Sequence, residues 1–223
     1  MKKFLCTLLA LALICGAAFA EVVNVTITNG QGEFCLACEP IEVSDVDGDG
    51  ALTVYDALYC AHESKYEGGA AAGFGAEDQG YGPSLTKLWG EENGGSYGYY
   101  VNNSGCDSLA TPIDEGVHVQ AYAYQDLESW SDQFSFFEIT EANGDALTLT
   151  LSGIGFDADW NEVVSPIAGA VITVDGADSG LVTDENGSVT LTISEDGAHI
   201  ISATAADAVL VPPVLAIGRD TVE

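Results

Sequence analysis

The chain reads as a mainly β protein in two parts, an α+β N-terminal part built round one helix and an all-β C-terminal sandwich. Three observations predict this. Gly, Thr, Val and Tyr are plentiful while lysine is scarce, a composition that favours strands over helices. One stretch with helical periodicity stands out, residues 53–63. Beyond Ile139 the cysteines stop, and short strand-like runs rich in Val, Thr and Ala recur at the regular spacing of a sandwich.

Taken in order, residues 1–20 have the plan of a signal peptide. Lys2 and Lys3 form a basic start, an apolar core follows, and Ala18-Phe19-Ala20 makes a small-residue cleavage site. The apolar run is too short to span a bilayer, and no later segment is long enough, so the mature chain is expected to be secreted without membrane insertion. Residues 22–28 (V-V-N-V-T-I-T) alternate as a first strand that ends at Asn29-Gly30. Residues 35–38 read as a connection and residues 41–43 as a short second strand. The helix follows, with Val54, Ala57, Leu58 and Ala61 as its apolar stripe and Tyr55, Tyr59 and His62 on a neighbouring face. His62 is expected to cap or pack. Residues 67–98 are glycine-rich and read as a long loop carrying aromatics. Residues 97–103 read as a strand and turn, 117–124 as the cleanest alternating strand, and 129–138 as one more. The sandwich strands are expected at 146–152, 170–174, 188–193 and 199–203.

The chain carries 35 acidic residues against 5 Lys and Arg, a formal net charge of −30. After cleavage the basic residues are Lys65, Lys87 and Arg219. Such a surface repels nucleic acid and anionic lipid and attracts cations. With 47% hydrophobic residues the chain is no disordered acidic tail.

The sharpest chemical motif is D-V-D-G-D-G-A-L-T-V-Y-D, residues 45–56. Asp45, Asp47, Asp49 and Asp56 stand at the first, third, fifth and twelfth places of a calcium loop, with Gly50 at the sixth. Alternate residues of a tight loop turn their carboxylates inward, and glycine takes the backbone angle that a Cβ resists. Ala51 would offer its carbonyl, and Thr53 would act directly or through water. Four carboxylates this close repel one another unless a cation lies between them. Asp56 replaces the usual Glu, so its shorter arm must come nearer the ion.

Four cysteines remain after cleavage, Cys35, Cys38, Cys60 and Cys106. Disulfides, reduced thiols, a zinc site and a redox pair at Cys35 and Cys38 are all conceivable, and four cysteines allow three pairings. The surroundings of Cys35 and Cys38 lack the positive charge that activates a thiol. Asp157, Asp159 and Glu162 could supply a carboxylate pair for glycoside hydrolysis, but acidic residues crowd every turn of this chain. No nucleophile elbow, metal-ligating histidine pair or phosphate-binding glycine loop is present, so an enzyme is not expected.

The calcium motif with its following helix resembles half of a dockerin, the calcium-dependent module that plugs into cohesins in extracellular enzyme assemblies. A dockerin has two loops. The nearest second candidate here, Asp157, Asp159 and Asn161, has Glu162 at the glycine place and Ala168 at the last. A second resemblance rests on Thr53-Val54-Tyr55-Asp56-Ala57-Leu58, Tyr99-Tyr100-Val101-Asn102-Asn103 and Asp114-Glu115-Gly116-Val117. In that order they are similar to the transcobalamin-like C-terminal domain, which implies a β-grasp-like fold over residues 21–138. Residues 139–223, with P-I-A-G-A-V-I-T-V-D-G and V-T-D-E-N-G-S-V-T-L-T-I, resemble bacterial Ig-like domains.

Together these resemblances imply a secreted, non-enzymatic calcium-binding protein that holds a corrinoid-like cofactor, a glycan or a peptide, acting outside a bacterial cell. Trp89, Tyr97, Tyr99 and Tyr100 would give stacking surface, and Asn102 and Asn103 hydrogen bonds. The alternative is a docking module that meets a cohesin-like partner in a polysaccharide-degrading assembly.

Overall fold

The computed structural model describes residues 21–78, 80–157, 159, 161–193 and 197–218. The expected signal peptide lies outside the described residues. The chain is mainly β, and no helix among the described residues is long and apolar enough to cross a membrane.

The N-terminal half opens with a hairpin of β1 (Glu21–Thr28) and β2 (Phe34–Val43). Helix α1 (Val54–Lys65), a single turn α2 (Ala70–Gly73) and a small hairpin of β3 (Gly75–Asp78) and β4 (Pro83–Lys87) follow. Then come β5 (Tyr97–Val101), β6 (Ser104–Gly105) and β7 (His118–Ala123). Five of the strands make one mixed sheet in the order β2-β1-β7-β5-β6, with β1 and β7 parallel at its centre. Every second residue of β1 points under α1, so Val23, Val25 and Ile27 are fully buried against Val54, Ala57, Leu58 and Ala61. That is the apolar stripe expected of the helix.

Two expectations need correction here. Cys35 and Cys38 are not in a connection but inside β2. The strand was hidden by a bulge, because Val25 faces Glu39 while Ile27 faces Leu36, so an extra residue interrupts the alternation. Cys38 takes the left-handed conformation there, with φ of 52°, and its N–H donates to Thr26 Oγ1 at 2.9 Å. The glycine-rich stretch is likewise not one long loop. It folds into α2 and the β3–β4 hairpin because Phe74, Leu85 and Leu88 find places in the core. All four cysteines are free thiols.

The C-terminal half contains β8 (Gln133–Asn143), β9 (Ala146–Phe156), β10 (Glu162–Pro166), β11 (Val171–Val174), β12 (Ala177–Val182), β13 (Ser188–Thr192), β14 (Ala198–Thr204), β15 (Leu210–Val211) and β16 (Leu215–Gly218). In one sheet β9 is flanked by β8 on one edge and by β13 and β10 in succession on the other, with β15 beside β8. The other sheet runs β12-β11-β14-β16. Alternating residues of both sheets, among them Leu147, Leu149, Leu151, Ile172, Leu191 and Ile201, fill a shared core. The strand expected at 129–138 runs instead from Gln133 to Asn143, so the division expected at residue 139 falls inside β8.

A third apolar cluster joins the halves. Tyr122 of β7, Phe134 of β8, Ile154 of β9 and Val211 of β15 are buried together, and Tyr100, Tyr124 and Phe136 pack round them. The rings of Tyr100 and Phe134 are stacked, with centroids 3.6 Å apart and planes within 7°. Gly98 makes this possible, since a Cβ there would sit 2.3 Å from the Tyr122 ring. Gln125 Nε2 donates to the Leu210 carbonyl at 2.9 Å across the same junction.

Candidate metal loop and aromatic cleft

The loop between β2 and α1 folds round its own aspartates. Asp45 Oδ1 accepts from the Gly48 N–H at 2.7 Å and Asp45 Oδ2 from the Gly50 N–H at 3.0 Å. Asp47 Oδ1 accepts from the Asp49 N–H, and Asp49 Oδ1 from the Ala51 N–H at 2.8 Å. Gly50 has φ of 92°, as the motif requires, and a Cβ there would meet nothing within 4 Å, so conformation alone selects glycine. One carboxylate oxygen from each of Asp45, Asp47 and Asp49 lies within 4.8 Å of the others, all three residues being exposed. Oxygens at 2.3–2.6 Å from a common calcium ion are separated by up to about 5 Å, so the triad suits a hard cation.

The electrostatics match this crowding. Burial within the loop, followed by the Asp49 and Asp56 carboxylates, raises the Asp47 carboxyl above the usual range despite a hydrogen bond from the Asp49 N–H. At Asp45 the burial effect is outweighed by the Gly50 and Gly48 N–H groups, and its carboxyl falls below that range.

Asp56 lies outside the triad. It is fully buried, Oδ1 accepts from the Val46 N–H at 2.8 Å, and Oδ2 accepts from the Thr53 N–H at 2.9 Å and hydroxyl at 2.7 Å. Thr53 Oγ1 accepts in return from the Asp56 N–H, which makes Thr53 the N-cap of α1 and Asp56 its partner in a capping box. The short arm of Asp56 and the Thr53 side chain are both spent on the helix start. The next donors of α1, the Val54 and Tyr55 N–H groups, are taken by the Thr111 and Leu109 carbonyls. Loop and helix are thus one rigid piece tied to the 109–113 segment. Ala51 stands in the loop between the triad and the cap.

The aromatic residues expected to form a ligand surface are not gathered into one. Trp89, Tyr97 and Tyr99 pack against the core under α1. The Trp89 N–H donates to His62 Nε2 at 2.9 Å, while His62 Nδ1 donates to the Leu58 carbonyl at 2.6 Å. His62 is therefore neutral and packs as expected, and burial lowers its pKa. The Tyr97 hydroxyl shares its one proton between the Glu91 carbonyl at 2.8 Å and the Thr86 carbonyl at 3.1 Å. Asn102 and Asn103 form a left-handed turn between β5 and β6, where Asn102 Oδ1 accepts from the His118 N–H and Asn103 Oδ1 from Gln120 Nε2. Only Tyr100, on the opposite face of β5, reaches the junction.

There the structure assembles a different aromatic site. A cleft of about 330 Å³ opens beside the junction. Tyr100, Tyr124, Trp130, Asp132, Phe134 and Phe156 are among its walls. Trp130 is 65% and Phe156 59% exposed, the most exposed large apolar side chains described after Tyr81. Asp132 Oδ1 and Oδ2 accept from the N–H groups of Gln125 and Asp126 at 2.7 and 2.9 Å. Asp126 in turn binds the Glu128 and Ser129 N–H groups and the Ser131 hydroxyl, and the Ser129 and Ser131 contacts pull its carboxyl down to about 2. Tyr100 is pushed up to about 12 by burial, then by nearby Tyr124 and Glu162. Little in the local sequence marks this cleft, since its residues are scattered from Tyr100 to Ala208. The W-S-D-Q-F run at 130–134 is the one hint in the chain.

Comparison with protein-family models, with curated proteins and with solved structures found no match for this chain.

Proposed function

We propose that this chain is a secreted, non-enzymatic binding protein whose N-terminal module is stiffened by one calcium ion held in the loop of residues 45–56. The reading is carried by the Asp45–Asp47–Asp49 triad, whose oxygens converge within 4.8 Å in a loop continuous with the helix cap. Asp45, Asp47 and Asp49 would hold the ion, with Ala51 offering its carbonyl. Asp56 and Thr53 contribute by fixing the loop to α1. The ion supplies the positive charge that three neighbouring carboxylates need at neutral pH.

The strand order, with first and last strands parallel at the sheet centre and one helix across a face, supports a β-grasp-like module. The two sheets sharing one core support an Ig-like sandwich for the second half. The ligand is of the corrinoid, glycan or peptide kind, held outside the cell.

Thermal unfolding in calcium and in chelator tests the metal. A ligand that binds only the folded state at a hundred times its Kd adds about 2.7 kcal/mol. The melting temperature should therefore rise clearly in calcium, and identical curves would remove the ion from the account. Capture by a cohesin in calcium, lost in chelator, would replace the ligand-binding reading with the docking one.

A further inference from the structure

We infer that the groove between β2 and α1 takes an extended, basic segment of a partner protein, which adds as a further strand along the outer edge of β2. This rests on the binding-protein reading and deepens it by choosing the peptide class of ligand.

The backbone of β2 supplies the first observation. Among the described residues β2 has β1 as its one strand partner and so ends the five-stranded sheet. The Asn24 N–H donates to the Val117 carbonyl, and the Val22 carbonyl accepts from the Gly116 N–H, so Val22 and Asn24 turn their backbone groups toward β7. Glu21, Val23 and Val25 therefore bond to their partners Val43, Ile41 and Glu39. That leaves the Glu42 N–H and the carbonyls of Pro40 and Glu42 pointing outward, away from β1. Pro40 fits the same frame, because its missing N–H falls on the outer side, where a strand tolerates proline.

This edge faces a groove of about 500 Å³. Pro40, Ile41 and Glu42 line it from the strand, and Tyr59, Cys60 and Glu63 from the helix. Two ties hold the walls at a fixed separation. Lys65, at the end of α1, pairs with Glu39 of β2, and the Cys60 thiol donates to the Ser44 carbonyl at 3.9 Å. A strand rises about 3.4 Å per residue, so the run between the ties has room for a segment of about five residues. A groove between an edge strand and a helix is one of the recurring settings for strand addition.

Charge selects the occupant. Glu42 and Glu63 stand exposed on opposite walls, while Lys65 is already paired. Ile41 and Val43 are buried under the helix, so Glu42 between them projects from the other face of the sheet. A residue of the added strand opposite Glu42 shares its face, and the residues on either side turn toward α1, where Glu63 stands. Basic side chains thus find a carboxylate on either face. Proline and charge on an edge discourage pairing between copies. A second copy of this chain, of net charge −30, would set acid against acid, whereas a basic strand is attracted.

The test is calorimetric titration of the mature chain, in calcium, with a blocked hexapeptide of alternating lysine and valine. A hexapeptide of alternating glutamate and valine is the acidic control. The basic peptide should bind, more weakly as salt rises, and the acidic one should not. An added strand bonds through one of its edges, so N-methylation of every second amide should abolish binding in one frame and spare it in the other. Glu42→Gln should weaken binding about threefold. Glu42→Pro, which removes the outward N–H, should weaken it about fivefold or more. The melting temperature of Glu42→Pro checks that the variant folds, and the methylated peptides decide the matter on the parent chain in either case. Absence of peptide binding by a chain that calcium still stabilises would strike the groove and leave the metal reading standing. Strand addition is overturned by no binding of the basic peptide at about 1 mM, where a complex of that Kd is half formed. Equal binding of the acidic peptide, or indifference to both methylation frames, would overturn it as well.

Discussion

The aspartate loop and the aromatic cleft are two candidate sites of opposite construction. The loop takes all its chemistry from twelve consecutive residues, and its side chains bind backbone N–H groups two to five places away. The cleft draws on β5, the turn before β8 and the end of β9, and exists only because β7 and β8 bring the halves together. A contiguous site is specified by spacing, and a dispersed one by topology. The first therefore tolerates change in the rest of the fold, whereas the second depends on the junction.

Substitutions can break this contrast. The largest effect is expected for Asp56→Ala, which removes three accepted hydrogen bonds and the capping box from the start of α1. Loss of a buried, hydrogen-bonded cap should cost about 3 kcal/mol in urea unfolding. It should abolish calcium stabilisation as well, although Asp56 is outside the triad. Tyr100→Ala comes next. It removes the ring stacked on Phe134 and should cost about 2–3 kcal/mol, with the cleft lost and the calcium response kept.

Acid should act on the central strands. His118, at the start of β7, is pushed down from 6.5 to about 4 by burial, and its Nε2 lies 2.8 Å from Thr26 Oγ1. The Cys38 N–H donates to the same oxygen, and the buried imidazole is held neutral beside it. Between pH 4 and 6.5 the unfolded chain binds a proton that the folded chain does not. Stability from this group is complete above 6.5 and declines as pH falls toward 4, by about 3 kcal/mol. His62 shifts in the same direction for the same reason. Unfolding curves across that range should lose the slope in His118→Gln.

Smallest in chelator, and decisive in calcium, is the pair Asp45→Ala with Asp49→Ala. Both residues are exposed and hold only backbone N–H groups of their own loop, so without metal the change should be the smallest of these effects. With calcium present the whole gain should vanish.

Legibility followed the same divide. The apolar stripe of α1, the alternation of β1 and the spacing of Asp45, Asp47, Asp49 and Gly50 are local patterns, and the structure places them as the spacing implies. The strand that holds Cys35 and Cys38 is not legible, because a bulge breaks the period of two that marks a strand. Asp56 has the right spacing for a ligand and for a helix cap alike, and spacing cannot say which use its oxygens serve. The aromatic residues were harder still. Tyr99 and Tyr100 are neighbours in the chain, yet pleating sends one under α1 and the other to Phe134. Which face meets a partner depends on strand order, and that is set by contacts far apart in sequence.

The most direct test of the central proposal is the number of calcium ions carried by the folded chain, read by native mass spectrometry after equilibration in calcium. One ion per chain, absent from the Asp45→Ala, Asp49→Ala protein, is the expected result. No bound ion, or a second one that survives the double substitution, would contradict it.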